Sequence, residues 1–334
     1  MHCVSRRFTA KEDVGMSKAK RTWLIIAISL VLIGAGIFIA MLINSNGDFS
    51  NLNTAKYRTK TYESTQEFQD ISIHTETADI TFIFTEDSSA RVISYEMEKA
   101  PHTVTFDSNK LVIEQNDQRM WYDHIGINFD APKIQIYLPK TAYGALNIAT
   151  TTGDIAIPND FQFDGIEISA TTGDIKLSAN VTGAINVKAT TGDLSVKDAT
   201  CGSLSFTATT GRTEMTQIIC HGEIRTNVST GKTQLTNVRC NLLDSEGTTG
   251  DITMHNVIVN TTMNINRSTG DVSFQNCDAE DIVIRADTGD VTGNFLRSKI
   301  YHAESDTGRV SVPHSNTGGN CSIITNTGDI IITQ

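Results

Sequence analysis

The chain has 334 residues and a formal net charge of -11, a length that suits one long domain or two ordinary ones. Residues 1–22 hold six basic and two acidic side chains, a net of +4, so the remainder carries -11 minus +4, or -15. An acidic body of this kind argues against nucleic acid or an anionic lipid surface as its partner. It favours a soluble surface, or a partner that is cationic or neutral.

The first predicted element is an apolar run of 21 uncharged residues at 23–43. As a helix it spans about 30 Å, the hydrocarbon thickness of a bilayer. Three basic residues come directly before it: Lys18, Lys20 and Arg21. The positive-inside rule therefore predicts a cytoplasmic basic tail over 1–22, a transmembrane signal-anchor over 23–43 and an extracellular remainder. A cleaved signal peptide is the competing interpretation, although its apolar region is ordinarily only about 7–15 residues long.

The next two segments lack the repeat that dominates the rest of the chain. Residues 44–65 are predicted to be a linker, and residues 66–140 an irregular β cap with several strand-like runs. Within the cap, Thr77 to Ile80 reads Thr-Ala-Asp-Ile and looks like a degenerate form of the later turn. Residues 117–130, which include Trp121, are predicted to form a long loop.

A Thr-Gly pair recurs ten times over residues 141–334, with 19 or 20 residues from one Gly to the next. Thr, Ser, Asp or Asn precedes each pair, and these side chains bond their own backbone in turns, while Gly supplies a positive φ. Asp follows the Gly in seven repeats, and Arg212, Lys232 and Arg309 follow it in the other three. The predicted structural turn ladder comprises Thr152, Gly153, Asp154, Thr172, Gly173, Asp174, Thr191, Gly192, Asp193, Thr249, Gly250, Asp251, Thr269, Gly270, Asp271, Thr288, Gly289, Asp290, Thr327, Gly328 and Asp329.

Apolar and polar residues alternate on both sides of each turn, as at Ile166 and Ile168 before Gly173 and at Ile175 and Leu177 after it. A period of two on both sides of a turn indicates two short strands per repeat. One such repeat cannot bury its apolar face alone, so the repeats must stack in register. The sequence therefore predicts an all-β fold, a parallel β-solenoid of about ten coils, preceded by one transmembrane helix.

The end of the chain suggests an open sheet edge. The last strand-like run, Ile330 to Thr333, comes directly after the final turn, and no further repeat follows it in this sequence. Because an unpaired edge strand is a template for another chain, we hypothesise end-to-end self-association through this strand.

The tandem Thr-Thr-Gly-Asp motifs at Thr151–Asp154, Thr171–Asp174 and Thr190–Asp193 follow a β region that ends at Ile134–Pro139. In this the chain resembles a family of bacterial β-strand-repeat envelope proteins of unknown function, known as putative adhesins, over about residues 66–334. The resemblance implies an envelope location, in some members beside envelope-stress systems. It brings no functional residues with it.

Two columns of turn side chains are candidates for chemistry. The stacked Asp carboxylates could bind Ca²⁺, but the interpretation that we favour is that each carboxylate bonds turn amides and faces solvent. The stacked Thr side chains could match a crystalline lattice, although Thr also simply stabilises turns. We therefore predict no metal, no cofactor and no catalytic residue.

Six cysteines are present, and none of them shows CxxC spacing. Three lie nine residues after a repeat Gly and are predicted to stack as buried free thiols: Cys201, Cys220 and Cys240.

The sequence leaves three functional hypotheses. The first is a non-enzymatic, membrane-anchored extracellular rod that binds cell-wall polymer or envelope protein through its polar faces. The second is an accessory protein of an envelope-stress response. The third is a carbohydrate-active enzyme, because stacking brings many carboxylates close together.

Overall fold

The computed structural model describes residues 18–44, 55–107, 109–124, 128 and 130–333. Most of the predicted basic tail, Cys3, most of the predicted linker and part of the loop at 117–130 lie outside the described residues. Two compact units make up the chain: Met1–Thr54 with Gly126–Asp130, and Ala55–Ile125 with Ala131–Gln334.

In the first unit, one helix, α1 (Lys18–Asn44), covers the apolar run. Its stretch Lys18–Met41 has a mean hydropathy of 2.8, and none of it is buried inside the protein. A helix that is apolar on every side suits a lipid environment. By length and composition it could cross a membrane, a criterion that an N-terminal signal sequence also meets.

The second unit contains the strands and the short 3-10 turn Trp121–His124. Those before the repeats are β1 (Tyr57–Ser64), β2 (Asp70–Thr77), β3 (Asp79–Thr85), β4 (Ala90–Met97), β5 (His102–Phe106), β6 (Lys110–Gln115) and β7 (Lys133–Pro139). Those of the first repeats are β8 (Ala142–Thr152), β9 (Ile155–Ile157), β10 (Gln162–Thr172), β11 (Ile175–Leu177), β12 (Asn180–Val181), β13 (Ala184–Thr191), β14 (Leu194–Cys201), β15 (Ser203–Thr210) and β16 (Thr213–Cys220). The remainder are β17 (Glu223–Thr230), β18 (Thr233–Cys240), β19 (Leu242–Thr249), β20 (Ile252–Val259), β21 (Thr262–Thr269), β22 (Val272–Cys277), β23 (Asp281–Thr288), β24 (Val291–Phe295), β25 (Lys299–Thr307), β26 (Val310–Ser311), β27 (Gly319–Thr327) and β28 (Ile330–Thr333).

These strands form two sheets. Sheet A runs β1-β4-β7-β3-β9-β11-β14-β16-β18-β20-β22-β24-β28-β26, and sheet B runs β25-β27-β23-β21-β19-β17-β15-β13-β10-β8-β2-β6-β5, with β12 beside β10. Each repeat gives sheet B the strand before its Gly and sheet A the strand after it. The all-β parallel solenoid predicted from the repeat is confirmed.

The core lies between the sheets and is continuous from coil to coil. Ile168 on β10 pairs with Ile148 on one side and with Val187 on the other, and all three side chains are buried. Each strand therefore stacks its inward side chain on the matching side chain of its neighbours. This stacking buries the apolar face that a single repeat would leave exposed.

At both ends, the coils do not stack in chain order. At the C-terminal end, β27 lies between β23 and β25, and β28 lies between β24 and β26. The prediction that Ile330 to Thr333 forms an open edge is therefore wrong, because β28 has a partner on each side. The penultimate coil, β25 with β26, is the outermost one, and its strand β25 exposes His302, Glu304 and Asp306. Charged side chains of this kind protect an edge strand from pairing with another chain.

The N-terminal end shows the same arrangement. The coil of β2 and β3 lies between the coil of β6 and β7 and the coil of β8 and β9. Thr77 is paired with Thr152, so the degenerate turn at Thr77 to Ile80 occupies the same corner as the Thr-Gly turns. Beyond β6 and β7, the antiparallel strands β4, β1 and β5 close this end.

Candidate functional site

The structure places the predicted turn ladder on one corner that runs along the solenoid. Each corner Gly has a positive φ, and a Cβ added at Gly231 would lie 1.8 Å from the carbonyl oxygen of Gly211 in the coil below. This close approach of two backbones explains why the position is Gly.

The Asp side chains of this corner bond from coil to coil. In each contact a backbone N–H donates to the Oδ1 of the Asp in the neighbouring coil: Asp154 to Asp79 (3.1 Å), Asp174 to Asp154 (2.8 Å), Asp193 to Asp174 (2.9 Å), Arg212 to Asp193 (2.7 Å), Asp271 to Asp251 (3.2 Å), Asp290 to Asp271 (2.9 Å), Asp329 to Asp290 (2.7 Å) and Arg309 to Asp329 (2.8 Å). One oxygen of each carboxylate is thus used to build the corner, which supports the structural interpretation over calcium binding. Lys232 lies 2.9 Å from Asp251 and, by its hydrogen bond, holds the pKa of that carboxyl below its usual value. Among the described residues, no group of three or more His, Cys, Asp or Glu side chains could hold a metal ion.

The ten Thr side chains that precede the corner Gly are all exposed and stand one above another, as at Thr172, which pairs with Thr152 and Thr191. They lie at the edge of sheet B, beside the turn. The array is therefore a single column of hydroxyl and methyl groups along the corner.

A second corner, missed in the sequence, bends sheet A. Its members lie six residues after a repeat Gly and have left-handed backbone angles: Asp198 (φ 52°), Gln217 (φ 57°), Asn237 (φ 55°), Asn256 (φ 53°) and Asn276 (φ 53°). Asn and Asp tolerate this conformation better than other residues with a side chain. The amide of Asn256 donates to Oδ1 of Asn237 at 2.9 Å, so the second corner also bonds from coil to coil. A recurring Asn at this offset was the signal that could have revealed it.

Two open clefts lie on the outer face of sheet A. The first, of about 390 Å³, is lined by residues of β14, β16 and β18 at the second corner, including Asp198, Gln217, Ile219 and Arg239. The second, of about 460 Å³, is lined by residues of β20, β22, β24 and β28, including His255. These seven strands are consecutive in sheet A. The first cleft lies at and beyond the second corner, six to eight residues after a repeat Gly, and the second cleft lies before that corner, three to five residues after a repeat Gly. At about 4.8 Å per strand, the two clefts extend over about 29 Å along the solenoid, from one side of the second corner to the other, and together we call them the sheet A track.

The sheet A track is close to electrically balanced, and most of the surface that lines its second cleft is apolar. Lys197 on β14 lies 2.9 Å from Glu214 on β16, and Asp198 and Arg239 add one charge of each sign. Ile219 is 49% exposed in the first cleft. The track therefore offers hydroxyl, amide and apolar groups without a dominant charge.

A buried polar cluster lies in the region before the repeats. His102 contacts Ser94 Oγ through Nδ1 at 3.0 Å and Thr75 Oγ1 through Nε2 at 3.0 Å, and its backbone N–H donates to Glu96 Oε2 at 2.6 Å. Burial lowers the pKa of His102 below its usual value, against the opposing effect of Glu96. Burial alone would raise the pKa of Glu96, but its hydrogen bonds to His102, Arg58 and Ser94 lower it overall.

The residue types of this cluster match a nucleophile, a base and an acid, but its position does not suit catalysis. Ser94 and Glu96 are 0% exposed and His102 is 1% exposed. No substrate can reach these atoms in this structure. The cluster instead ties β2, β4 and β5 together.

Inside the repeats, Arg267 is a second buried polar group that the sequence did not single out. Its guanidinium donates to the carbonyl oxygens of Ser245 (3.1 Å) and Asn266 (2.8 Å) and to Ser245 Oγ (2.8 Å). Burial lowers its pKa to about 10. It occupies the position three before Gly270, where several other coils have Ala.

The five cysteines within the described residues are buried free thiols, as predicted for Cys201, Cys220 and Cys240. Cys201 and Cys220 are register partners on β14 and β16. Burial raises the pKa of Cys240 to about 12, so this thiol stays protonated at neutral pH and is a poor nucleophile.

Comparison with known proteins gives a family and several solved structures. A model of the Toastrack DUF4097 family matches residues 68–333. A putative adhesin from Bacteroides fragilis is 15% identical, over 83% of this chain and 97% of that chain, with a TM-score of 0.43. From Parabacteroides distasonis, a putative lipid binding protein is 12% identical (84% and 98% covered, TM-score 0.46), and a putative adhesin is 11% identical (84% and 98% covered, TM-score 0.43). No curated protein sequence matches the chain.

Proposed function

The chain belongs to the Toastrack DUF4097 family, as its tandem Thr-Thr-Gly-Asp motifs predict, and from this premise we propose a non-enzymatic role in the cell envelope. In this proposal, α1 holds the protein in the membrane, and the solenoid binds an extended, uncharged envelope polymer, such as a glycan strand, along the sheet A track. The observation that carries this proposal is that two open clefts follow one another over seven consecutive strands of one sheet, with the second corner between them.

The chemistry of the track supports a hydroxyl-rich and uncharged ligand. Amide side chains such as Gln217 and Asn237 can both donate and accept hydrogen bonds, and exposed Ile219 offers an apolar contact. Its balanced charges give a polyanion no electrostatic advantage, and the net charge of -15 after residue 22 repels one. A polymer whose units repeat along its length suits a surface that repeats along the solenoid.

A non-enzymatic role is supported by the buried cluster of Ser94, Glu96 and His102. These side chains have the types found in hydrolases, but they are closed to solvent. The corner carboxylates are engaged with backbone amides, as the contact of Asp154 with the N–H of Asp174 shows.

Binding is tested by co-sedimentation of the full chain, in detergent micelles, with purified cell-wall polymer that has been stripped of charged substituents. We expect the wild-type chain to sediment with the polymer. Ile219→Lys, which places a long charged side chain in the first cleft, should weaken binding about tenfold, and Thr207→Lys should leave it unchanged. Thr207 is also an exposed residue, on sheet B, so it controls for the added charge. Equal binding by the two variants overturns the assignment to the track.

The proposed topology places the N-terminus in the cytoplasm and the solenoid outside the cell, because Lys18, Lys20 and Arg21 flank the N-terminal end of the apolar run. Protease added to intact cells should then digest residues 55–334 and leave a membrane-embedded N-terminal fragment. A chain released into the medium with its first 40 or so residues missing would instead establish a cleaved signal peptide.

A further inference from the structure

Three consecutive large apolar side chains are exposed beside the 3-10 turn Trp121–His124. Met120 is 55% exposed, Trp121 75% and Tyr122 52%. Most exposed apolar residues of a soluble surface stand singly, whereas an exposed cluster marks a contact site. We call these three residues the aromatic tip.

Polar contacts fix the aromatic tip in this exposed position. The carboxylate of Asp123 contacts Lys99 Nζ at 2.5 Å and accepts the backbone N–H of Met120 at 2.9 Å. Directly before the tip, Arg119 donates to both carboxylate oxygens of Asp117 at 2.8 Å and 2.7 Å and contacts Glu76 at 3.2 Å. These ion pairs and hydrogen bonds therefore hold the aromatic tip at the surface.

The same ion pairs leave the surroundings of the tip with a net charge of only -1, because two cations face three carboxylates. Arg119 is set against Asp117 and Glu76, and Lys99 against Asp123. Lys99 also lies 5.9 Å from the centre of the Tyr122 ring, with its side chain 60% exposed. Trp and Tyr with a neighbouring Lys is the combination found at the headgroup level of membranes.

The connection between α1 and β1 is short. Residues 45–56 lie between the end of α1 and the start of β1, and twelve extended residues span at most about 43 Å. If α1 is embedded in a bilayer, Tyr57, the first residue of β1, therefore stays within this distance of the end of the helix. The tip belongs to the region before the repeats, which is the part nearest to the tether along the chain.

We propose that the aromatic tip, Met120 to Tyr122, inserts into the headgroup region of a zwitterionic bilayer and serves as a second, non-covalent contact with the membrane. This inference rests on the proposed anchoring by α1. Its consequence for function is that the solenoid is oriented on the membrane and does not pivot freely about its tether.

The chain has two Trp residues, Trp23 in α1 and Trp121 in the tip, so single-Trp variants report on each site separately. The full chain is reconstituted into phosphatidylcholine vesicles with or without brominated acyl chains, which quench Trp at short range. In Trp23→Phe, we expect bromination to reduce the Trp121 emission at least twofold. Equal Trp121 emission in the two kinds of vesicle overturns the proposal.

Two further variants separate the causes of a negative result. Trp121→Phe leaves Trp23, which must be quenched if α1 lies in the bilayer; its failure to be quenched contradicts the anchoring itself. Quenching of Trp23 without quenching of Trp121 contradicts only the tip.

Ile300→Trp in a background that lacks both native Trp residues places the reporter at an exposed site of the outermost C-terminal coil, and we expect no quenching there. A Trp121 emission that responds to soluble glycan fragments but not to brominated lipid would assign the tip to the polymer and overturn the lipid contact.

Discussion

The backbone N–H of Asp329 donates to Oδ1 of Asp290 at 2.7 Å, although 39 residues separate the two. In the middle coils the same contact joins residues 19 or 20 apart, as between Asp174 and Asp154. The last coil therefore lies between the two coils that precede it in the sequence, and the backbone N–H of Arg309 donates to Oδ1 of Asp329. The C-terminal strand is thereby held on both sides.

Because β28 lies between two other strands, we predict that truncating one of its buried side chains strongly lowers the free energy of unfolding. Ile330 on β28 is 0% exposed, so Ile330→Ala should lower the free energy of unfolding by about 2–5 kcal/mol. Ile331→Ala, at the neighbouring outward and half-buried position, should cost clearly less, about 1 kcal/mol. Chemical denaturation of the two variants measures the difference. Small and equal effects would mean that the final strand frays in solution and that the inserted order is wrong.

The order of the end coils could not be predicted, because every coil presents the same edge to its neighbour. The corners at Asp329 and Arg309 share the Thr-Gly pair, and each donates a backbone N–H to an Asp of the neighbouring coil. A period in the sequence therefore predicts each coil but not the order in which the coils stack. The period did predict the parallel solenoid and its two strands per repeat. What escaped it were features present in only part of the chain, such as the corner at Asn256 and the cluster around His102.

The aligned corner predicts that a single methyl group is poorly tolerated there. A Cβ at Gly231 would meet a backbone oxygen at 1.8 Å, and the residue has φ 150°. Gly231→Ala should therefore cost roughly 3 kcal/mol or more of unfolding free energy. Gly165→Ala is the control, because its Cβ would have an ordinary contact at 3.7 Å, and it should be near neutral. Thermal and denaturant unfolding of both variants give the comparison.

The Asp ladder predicts a difference between two substitutions at Asp174. Asp174→Ala removes the oxygen that accepts the N–H of Asp193 at 2.9 Å and should cost about 1 kcal/mol. Asp174→Asn keeps an acceptor oxygen and should be near neutral. The same measurements with calcium and with a chelator should agree for the wild-type chain. A calcium-dependent stability that Asp174→Asn abolishes would restore the metal interpretation.

The buried cluster predicts a loss of stability at acidic pH. Because the pKa of His102 in the folded chain lies below its ordinary value of 6.5, the unfolded chain binds the additional proton first. The stabilisation is fully present above pH 6.5 and falls as the pH drops from there towards the folded pKa. Protonation of Glu96, whose folded pKa lies below 4.5, removes more stability as the pH falls through that lower value.

This pH dependence is measured as the free energy of unfolding at pH 7.5 and at pH 5.5. His102→Gln should reduce the difference between the two values, since it removes the group that titrates. His74→Gln, at an exposed position, should leave the difference as it is in the wild-type chain. A pH dependence that survives His102→Gln unchanged contradicts the assignment to this histidine.

Gly247 and Arg267 are register partners on β19 and β21. We therefore predict that Gly247→Ala changes the free energy of unfolding in opposite directions when Arg267 is present and when it has been replaced. A Cβ at Gly247 would lie 2.9 Å from Nη1 and 3.1 Å from Cδ of the buried Arg267, so Gly247→Ala should destabilise the wild-type chain by about 1–3 kcal/mol. Once Arg267→Ala has removed the guanidinium, the same Gly247→Ala change fills part of the space and reduces the freedom of the unfolded chain. In that background it should stabilise by roughly 0.5–1 kcal/mol. A double-mutant cycle in denaturant gives the coupling free energy, and additive effects of the two substitutions would show that Gly247 is not there to accommodate the arginine.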